Sequence, residues 1–206
     1  MKETEVTLRR TERSMKKAAE ERNSRLKGGL LWRALDTAIF FFFVLTVIMS
    51  VRFFLIEPRG VKGGSMLDTF QNGDYVFVEK LTYAFSDPKK GDIVICYYPD
   101  AYYEAFHVDY ATRIKRVMAT AGDRVQSING KLYVNHEPVD EPYLTEHRSQ
   151  TTGITEPYIV PEGCVYVLGD NRINSTDSRS AVVGAIPISD IVGKVRLELY
   201  PDPHIP

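Results

Sequence analysis

RVQSINGKLYVN, residues 124–135, consists of two alternating apolar and polar runs joined by Asn129-Gly130. A two-residue Asn-Gly link suits a tight hairpin turn, whose central residues need positive φ, so this stretch predicts two antiparallel strands. The same texture extends outward in both directions. Tyr75–Leu81, Asp92–Tyr98, Arg113–Ala119, Cys164–Gly169 and Ile191–Leu199 are short β-branched and aromatic runs. Asn72-Gly73, Lys90-Gly91 and Gly122-Asp123 separate several of them. Many short strands punctuated by turns predict a mostly β fold, an antiparallel two-sheet or barrel-like architecture. Residues 99–110, PDAYYEAFHVDY, lack clear periodicity and are expected to form a surface loop.

The N-terminal quarter has a different composition. Residues 1–33 hold ten Lys and Arg against five Glu, a net of +5, so the rest carries −6 of the total of −1. Thr37–Val51 then runs fifteen residues without a charge. As a helix it would extend roughly 22 Å, short of a hydrocarbon core of about 30 Å. Apolar flanks lengthen it to a span from about Leu31 to Ile56, with Asp36 and Arg52 near the two interfaces. The Phe-rich run is apolar on every face, which favours a membrane span over a core helix. The expected organisation is a basic cytoplasmic tail at 1–29, a transmembrane anchor at 30–56 and an extracytoplasmic β-rich domain at 57–206. The excess of Lys and Arg before the anchor puts the N-terminus in the cytoplasm. The tail itself is expected to be a loose helix or disordered.

Cys96 and Cys164 lie among strand-like apolar residues and read as two buried free thiols. The four His are scattered, with no CxxC or HExxH, so no metal or other cofactor is expected. The near-neutral charge gives no sign of nucleic-acid binding.

Chemistry is concentrated in three places. Ser65 stands in VKGGSM, where Gly63 and Gly64 leave the hydroxyl unshielded. A Ser needs a base, and Lys115 in the strand-like RIKRV becomes one if burial removes its proton. GDNRINSTDSR, residues 169–179, is an oddly polar run directly after an apolar strand.

Five segments in order resemble the bacterial type I signal peptidases. They are GGSM at 63–66, GDYVFVEKLTY at 73–83, GDIV at 91–94, IKRV followed by GDRV at 114–125, and GDNRINSTDSR at 169–179. VNHEPVDEPYL at 134–144 resembles the connecting segment of that family. The likeness covers roughly residues 30–200 and is to the compact, single-span form common in Gram-positive bacteria. It implies a membrane-bound serine protease that removes signal peptides from exported proteins after small residues, at Ala-X-Ala sites. By this resemblance Ser65 is the nucleophile and Lys115 the general base. Ser175 orients the lysine amine, while Asp177 and Arg179 brace the site. Val61, Met66 and Ile114 lie near the pockets for small side chains. The implied partners are the signal peptides of preproteins and membrane lipid, with the protein a monomer.

Some members add a Ser hydroxyl to the oxyanion site two positions before the nucleophile, where this chain has Gly63. Where the family usually has Pro, it has Asp68. A carboxylate facing Lys115 would hold the amine charged and weaken the base, so Asp68 is expected to point to solvent. Two alternatives remain open at this stage. One is a catalytically impaired, membrane-anchored relative acting as a binding module. The other is a soluble self-cleaving repressor-type Ser/Lys protease, which the membrane span disfavours.

Overall fold

The computed structural model describes residues 15–17, 20, 22, 29, 31–50 and 56–206. Most of the expected tail and the expected anchor's Val51–Leu55 flank, with Arg52, lie outside the described residues. The chain divides into two units, Met1–Val51 and Arg52–Pro206. In the first, helix α1 runs over Leu31–Ser50 and is long and apolar enough to cross a membrane. Its large side chains Phe40 to Phe43 are exposed, so it does not serve as a core helix. The anchor was expected to continue through Ile56, but Ile56 already begins strand β1, Ile56–Gly60, paired with Glu79. Pro58 cannot continue a helix, and backbone pairing takes over at the polar sequence Glu57-Pro58-Arg59.

The second unit holds two antiparallel sheets, as the hairpin and strand pattern predict. The larger contains β1, β2 (Tyr75–Glu79), β3 (Ile93–Cys96), β4 (Arg113–Thr120), β9 (Cys164–Leu168), β10 (Ile186–Pro187) and β11 (Ile191–Tyr200). Their order across the sheet is β1-β2-β11-β3-β4-β9-β10. The smaller contains β5 (Arg124–Ile128), β6 (Lys131–Val134), β7 (Glu137–Pro138) and β8 (Tyr158–Ile159), in the order β7-β6-β5-β8. The Asn129-Gly130 turn takes φ of 50° and 78°, which sets Ile128 opposite Lys131.

Strand β4 is interior, paired on one side with β3 and on the other with β9. All six residues from Ile114 to Met118 and Ala119 are buried. Its alternating side chains therefore feed three clusters. Ile114 packs with Val61, Met66, Phe70, Val78 and Ile95. Val117 joins Val94, Cys96, Tyr98 and Val167. Met118 and Ala119 meet Val125, Leu132, Tyr166 and Leu168, which join the two sheets. A polar side chain on such a strand is removed from water unless the fold supplies it a partner.

Residues 99–110 are not simply a loop. Helix α3, Asp100–Phe106, buries Tyr103, whose hydroxyl accepts from the Tyr98 N–H at 3.1 Å and donates to the Ala111 carbonyl at 2.7 Å. Tyr102 packs edge-on to Tyr98 and against Phe106. Residues 99, 102, 103 and 106 carry helical spacing, masked in the sequence by the intervening acids. A second short helix, α2, spans Thr82–Phe85. Both cysteines are free thiols, Cys96 buried but Cys164 only half-buried at the start of β9.

Gly193 tests the close packing of the larger sheet. A Cβ there would lie 2.5 Å from the Glu79 carbonyl oxygen and 2.9 Å from Val78 Cγ1. Gly193→Ala is expected to lose about 1–3 kcal/mol by overpacking between β2 and β11, measured by denaturant titration.

Candidate active site

Ser65 lies in the turn after β1, in the sequence that leads Val61 and Met66 into the apolar cluster beneath it. Lys115 comes from the middle of β4, opposite Val94. Fifty residues apart in sequence, Lys115 Nζ and Ser65 Oγ are 2.7 Å apart. The amine also donates to the carbonyl of Ile114 at 2.8 Å. Lys115 is only 2% exposed. Burial pushes its pKa down to about 8, with Arg113 adding to the depression and Cys96, Asp177 and Asp170 opposing it. The same burial pushes the Cys96 thiol up to about 12, which leaves it protonated and inert.

A groove of about 530 Å³ opens onto this pair. Arg59–Lys62, Tyr110–Ile114, Ser65 and Lys115 are among the residues that line it. Val61 and Ile114 are among its lining residues, and Met66 is buried in the apolar cluster with them.

The polar run 169–179 closes the site from β9. The buried Asp177 carboxylate accepts from the Gly169 N–H at 3.0 Å and from Arg179 Nε and Nη2 at 2.8 and 2.9 Å. Arg179 also donates to the carbonyls of Arg172 and Ser175, at 2.8 and 3.3 Å. The Ser175 hydroxyl is buried with no hydrogen-bond partner among the described residues. It sits against the Ser65 segment: a Cβ on Gly169 would lie 2.2 Å from Ser175 Oγ and 2.4 Å from the Ser65 carbonyl oxygen.

Sequence reasoning did not single out the ion pairs that back these groups. Asp170 is fully buried and receives Arg116 Nε and Nη2 at 3.0 and 2.8 Å. It also accepts from Thr69 Oγ1 at 2.5 Å, tying the turn after Ser65 to the polar run. The Arg116 guanidinium stacks on the Tyr143 ring at 3.8 Å. Arg172 pairs with Glu141 and donates to Gly169 O at 3.0 Å. Arg116 and Arg172 each adjoin a polar or charged neighbour in sequence, but strand and turn positions did not reveal their partners.

Asp68 is exposed and makes no ion pair with Lys115, and it is not free: its carboxylate accepts from Thr145 Oγ1 at 2.5 Å and pairs with Arg148. Asp68 has φ of 82°, which directs it to the 145–148 loop and which Pro, fixed near −65°, cannot adopt. Its charge is spent on Arg148, and Lys115 has no ion pair with it.

A half-buried serine hydroxyl against a desolvated lysine amine in the wall of a groove is suited to nucleophilic attack on an acyl group. A family model described as signal peptidase, peptidase S26, matches residues 34–200. The chain belongs to that family. It is 36% identical to a probable signal peptidase I-1 of Synechocystis, over 76% of this chain and 78% of that protein. A signal peptidase I of Bacillus caldolyticus is 35% identical, over 78% of this chain and 88% of that protein. The thylakoidal processing peptidase 1 of Arabidopsis thaliana is 38% identical over 78% of this chain, which spans 46% of its length. Family membership makes this chain a serine endopeptidase and supports signal-peptide cleavage.

The Asp177–Arg179 pair can be tested apart from activity. Asp177 is fully buried, so Arg179→Ala leaves an uncompensated charge and is expected to lose about 3–5 kcal/mol. Combining it with Asp177→Asn should recover part of that loss in denaturant titration.

Proposed function

We propose that the chain is a membrane-anchored signal peptidase in which Ser65 is the nucleophile and Lys115 the general base. The observation that carries this reading is the 2.7 Å approach of Lys115 Nζ to Ser65 Oγ at a lysine whose pKa burial lowers to about 8. An ordinary lysine is almost wholly protonated at neutral pH and cannot accept a proton. A buried one is neutral often enough to act.

In this reading a signal-peptide segment lies extended in the groove, with small side chains against Val61 and Ile114 over the Met66 cluster. Lys115 takes the Ser65 proton as Oγ attacks the scissile carbonyl, forming a C–O bond and an oxyanion. The C–N bond then breaks as Lys115 returns the proton to the leaving amine, and water, activated by the same amine, hydrolyses the acyl-enzyme. The neutral amine has two N–H donors and one lone pair. Ser65 takes the lone pair and Ile114 one donor, which leaves one N–H for the unpartnered Ser175 hydroxyl. A hydrogen bond to Ser175 would fix the amine without adding a charge that favours ammonium. Asp177 and Arg179 hold the backbone that carries Ser175.

The single apolar helix among the described residues supports a one-pass membrane anchor, and the positive N-terminal segment supports a cytoplasmic N-terminus with the catalytic unit outside. Substrates would be preproteins cleaved after Ala-X-Ala, with membrane lipid as the surrounding partner.

Incubation of the full chain in detergent with a precursor bearing an Ala-X-Ala site tests the dyad. Ser65→Ala and Lys115→Ala are each expected to lose roughly four orders of magnitude in kcat. Equal cleavage by wild type and both variants would overturn it. The pH dependence carries a definite sign. Protonated Lys115 is inactive, so kcat/KM should rise with pH and level off above about 8. A profile that falls over that range would exclude Lys115 as the base.

A further inference from the structure

One residue grips both carbonyls that flank the nucleophile. Asn171 Nδ2 donates to the Gly64 carbonyl at 2.8 Å, and the Asn171 backbone N–H donates to the Ser65 carbonyl at 3.0 Å. Asn171 is only 3% exposed. In a trans peptide the C=O and N–H of one unit point in opposite directions. The unit that carries the Gly64 carbonyl also carries the Ser65 N–H. Holding that oxygen toward Asn171 therefore turns the Ser65 N–H away from it. With the next carbonyl also anchored, the peptide between Gly64 and Ser65 is restrained against rotation from both sides.

That N–H donates to no acceptor among the described residues. Its neighbour is not equivalent, because the Gly63 N–H is already taken by Asn72 Oδ1 at 2.9 Å. Gly63 also has no hydroxyl to offer. The Ser65 N–H thus has unusual weight as a donor to an oxyanion, and its aim matters more than in a site with a nearby side-chain donor.

A second observation separates this role from ordinary packing. Asn171 Oδ1 is buried and has no hydrogen-bond partner. Flipping the amide would set Oδ1 against the Gly64 carbonyl, two acceptors facing each other. The side chain is held in the one orientation that serves Gly64 and leaves its own oxygen unpaired. Stability alone would favour a residue without that orphaned acceptor.

We propose that Asn171 is a positioning residue that aims the Ser65 backbone N–H at the oxyanion formed on acyl attack. The proposal rests on the Ser65/Lys115 reading above. It is tested with the full chain in detergent, using an Ala-X-Ala peptide, an uncleavable analogue of it, and a peptide boronic acid that forms a tetrahedral adduct with Ser65. Asn171→Ala should lower kcat on the order of 100-fold, the scale of one oxyanion donor. KM and the affinity for the uncleavable analogue should stay unchanged, while boronate affinity falls in parallel with kcat. Asn171→Leu removes the donor at near-constant size without adding a charge and should behave alike; it decides the matter if the Ala variant does not fold. Wild-type kcat, or a loss confined to KM, in a folded Asn171 variant would overturn the proposal, as would unaltered boronate affinity. If Ser65→Ala is inactive in the same assay, those results overturn the Asn171 role alone. Full activity in Ser65→Ala would instead overturn the dyad and the proposal with it.

Discussion

The removal of the Lys115 amine from water is the constraint on which the site depends. A lysine on an exposed strand would stay charged and would need nothing around it. On β4, between β3 and β9, the amine is left with a carbonyl at 2.8 Å and a hydroxyl at 2.7 Å, neither of which stabilises a full positive charge as a carboxylate would. Nearby carboxylates threaten this balance, since Asp170 and Asp177 both pull the amine toward its charged form. Each is paired to an arginine, Asp170 to Arg116 and Asp177 to Arg179. Buried pairs of this kind add little net stability. Here they let acidic residues build the site while most of their field is directed at guanidinium groups, so desolvation still dominates at Lys115.

The same pairs fix distances between segments far apart in sequence. Thr69 reaches Asp170 across the turn after Ser65, and Asp170 holds Arg116, one residue beyond Lys115. The Ser65 turn, the central strand and the polar run are thereby joined through one carboxylate. Asp68 adds an outer tie to Arg148, partly exposed and of small energetic weight. At Asp68 the turn is fixed by an ion pair and a left-handed backbone, a conformation that a Pro with its locked φ could not adopt.

The strands were legible because alternation and turn residues are local signals; Arg124–Ile128 falls where the sequence puts it. The aromatic face of helix α3 is interrupted by acids, and the helix is fastened by a hydrogen bond from Tyr103 to the Ala111 carbonyl, a contact that sequence spacing does not display. Ile56 was assigned to the anchor on hydropathy, a property that does not register the backbone pairing with Glu79. Ser65 and Lys115 were found as residue types with plausible chemistry and joined through family resemblance. Their contact spans fifty positions, and no local pattern encodes it. The partner of Asp68 and the grip of Asn171 on Gly64, 107 positions away, were invisible for the same reason.

The polar run 169–179 also explains where the fold tolerates imperfection. Among the described residues, three buried side-chain polar atoms have no hydrogen-bond partner: Arg59 Nε, Asn171 Oδ1 and Ser175 Oγ. Arg59 Nε lies 2.7 Å from Glu57 Oε1, so it is compensated by charge although the angle is poor. The other two belong to the run, and each costs about 1–3 kcal/mol when left unpaired. Gly169 lets the run press this close, because any side chain there would collide with Ser175 and with the Ser65 carbonyl. Close approach and unpaired acceptors arise together. The Asn171 oxygen is what remains when the amide is oriented to serve the Gly64 carbonyl, so its cost comes with the close approach of the two segments.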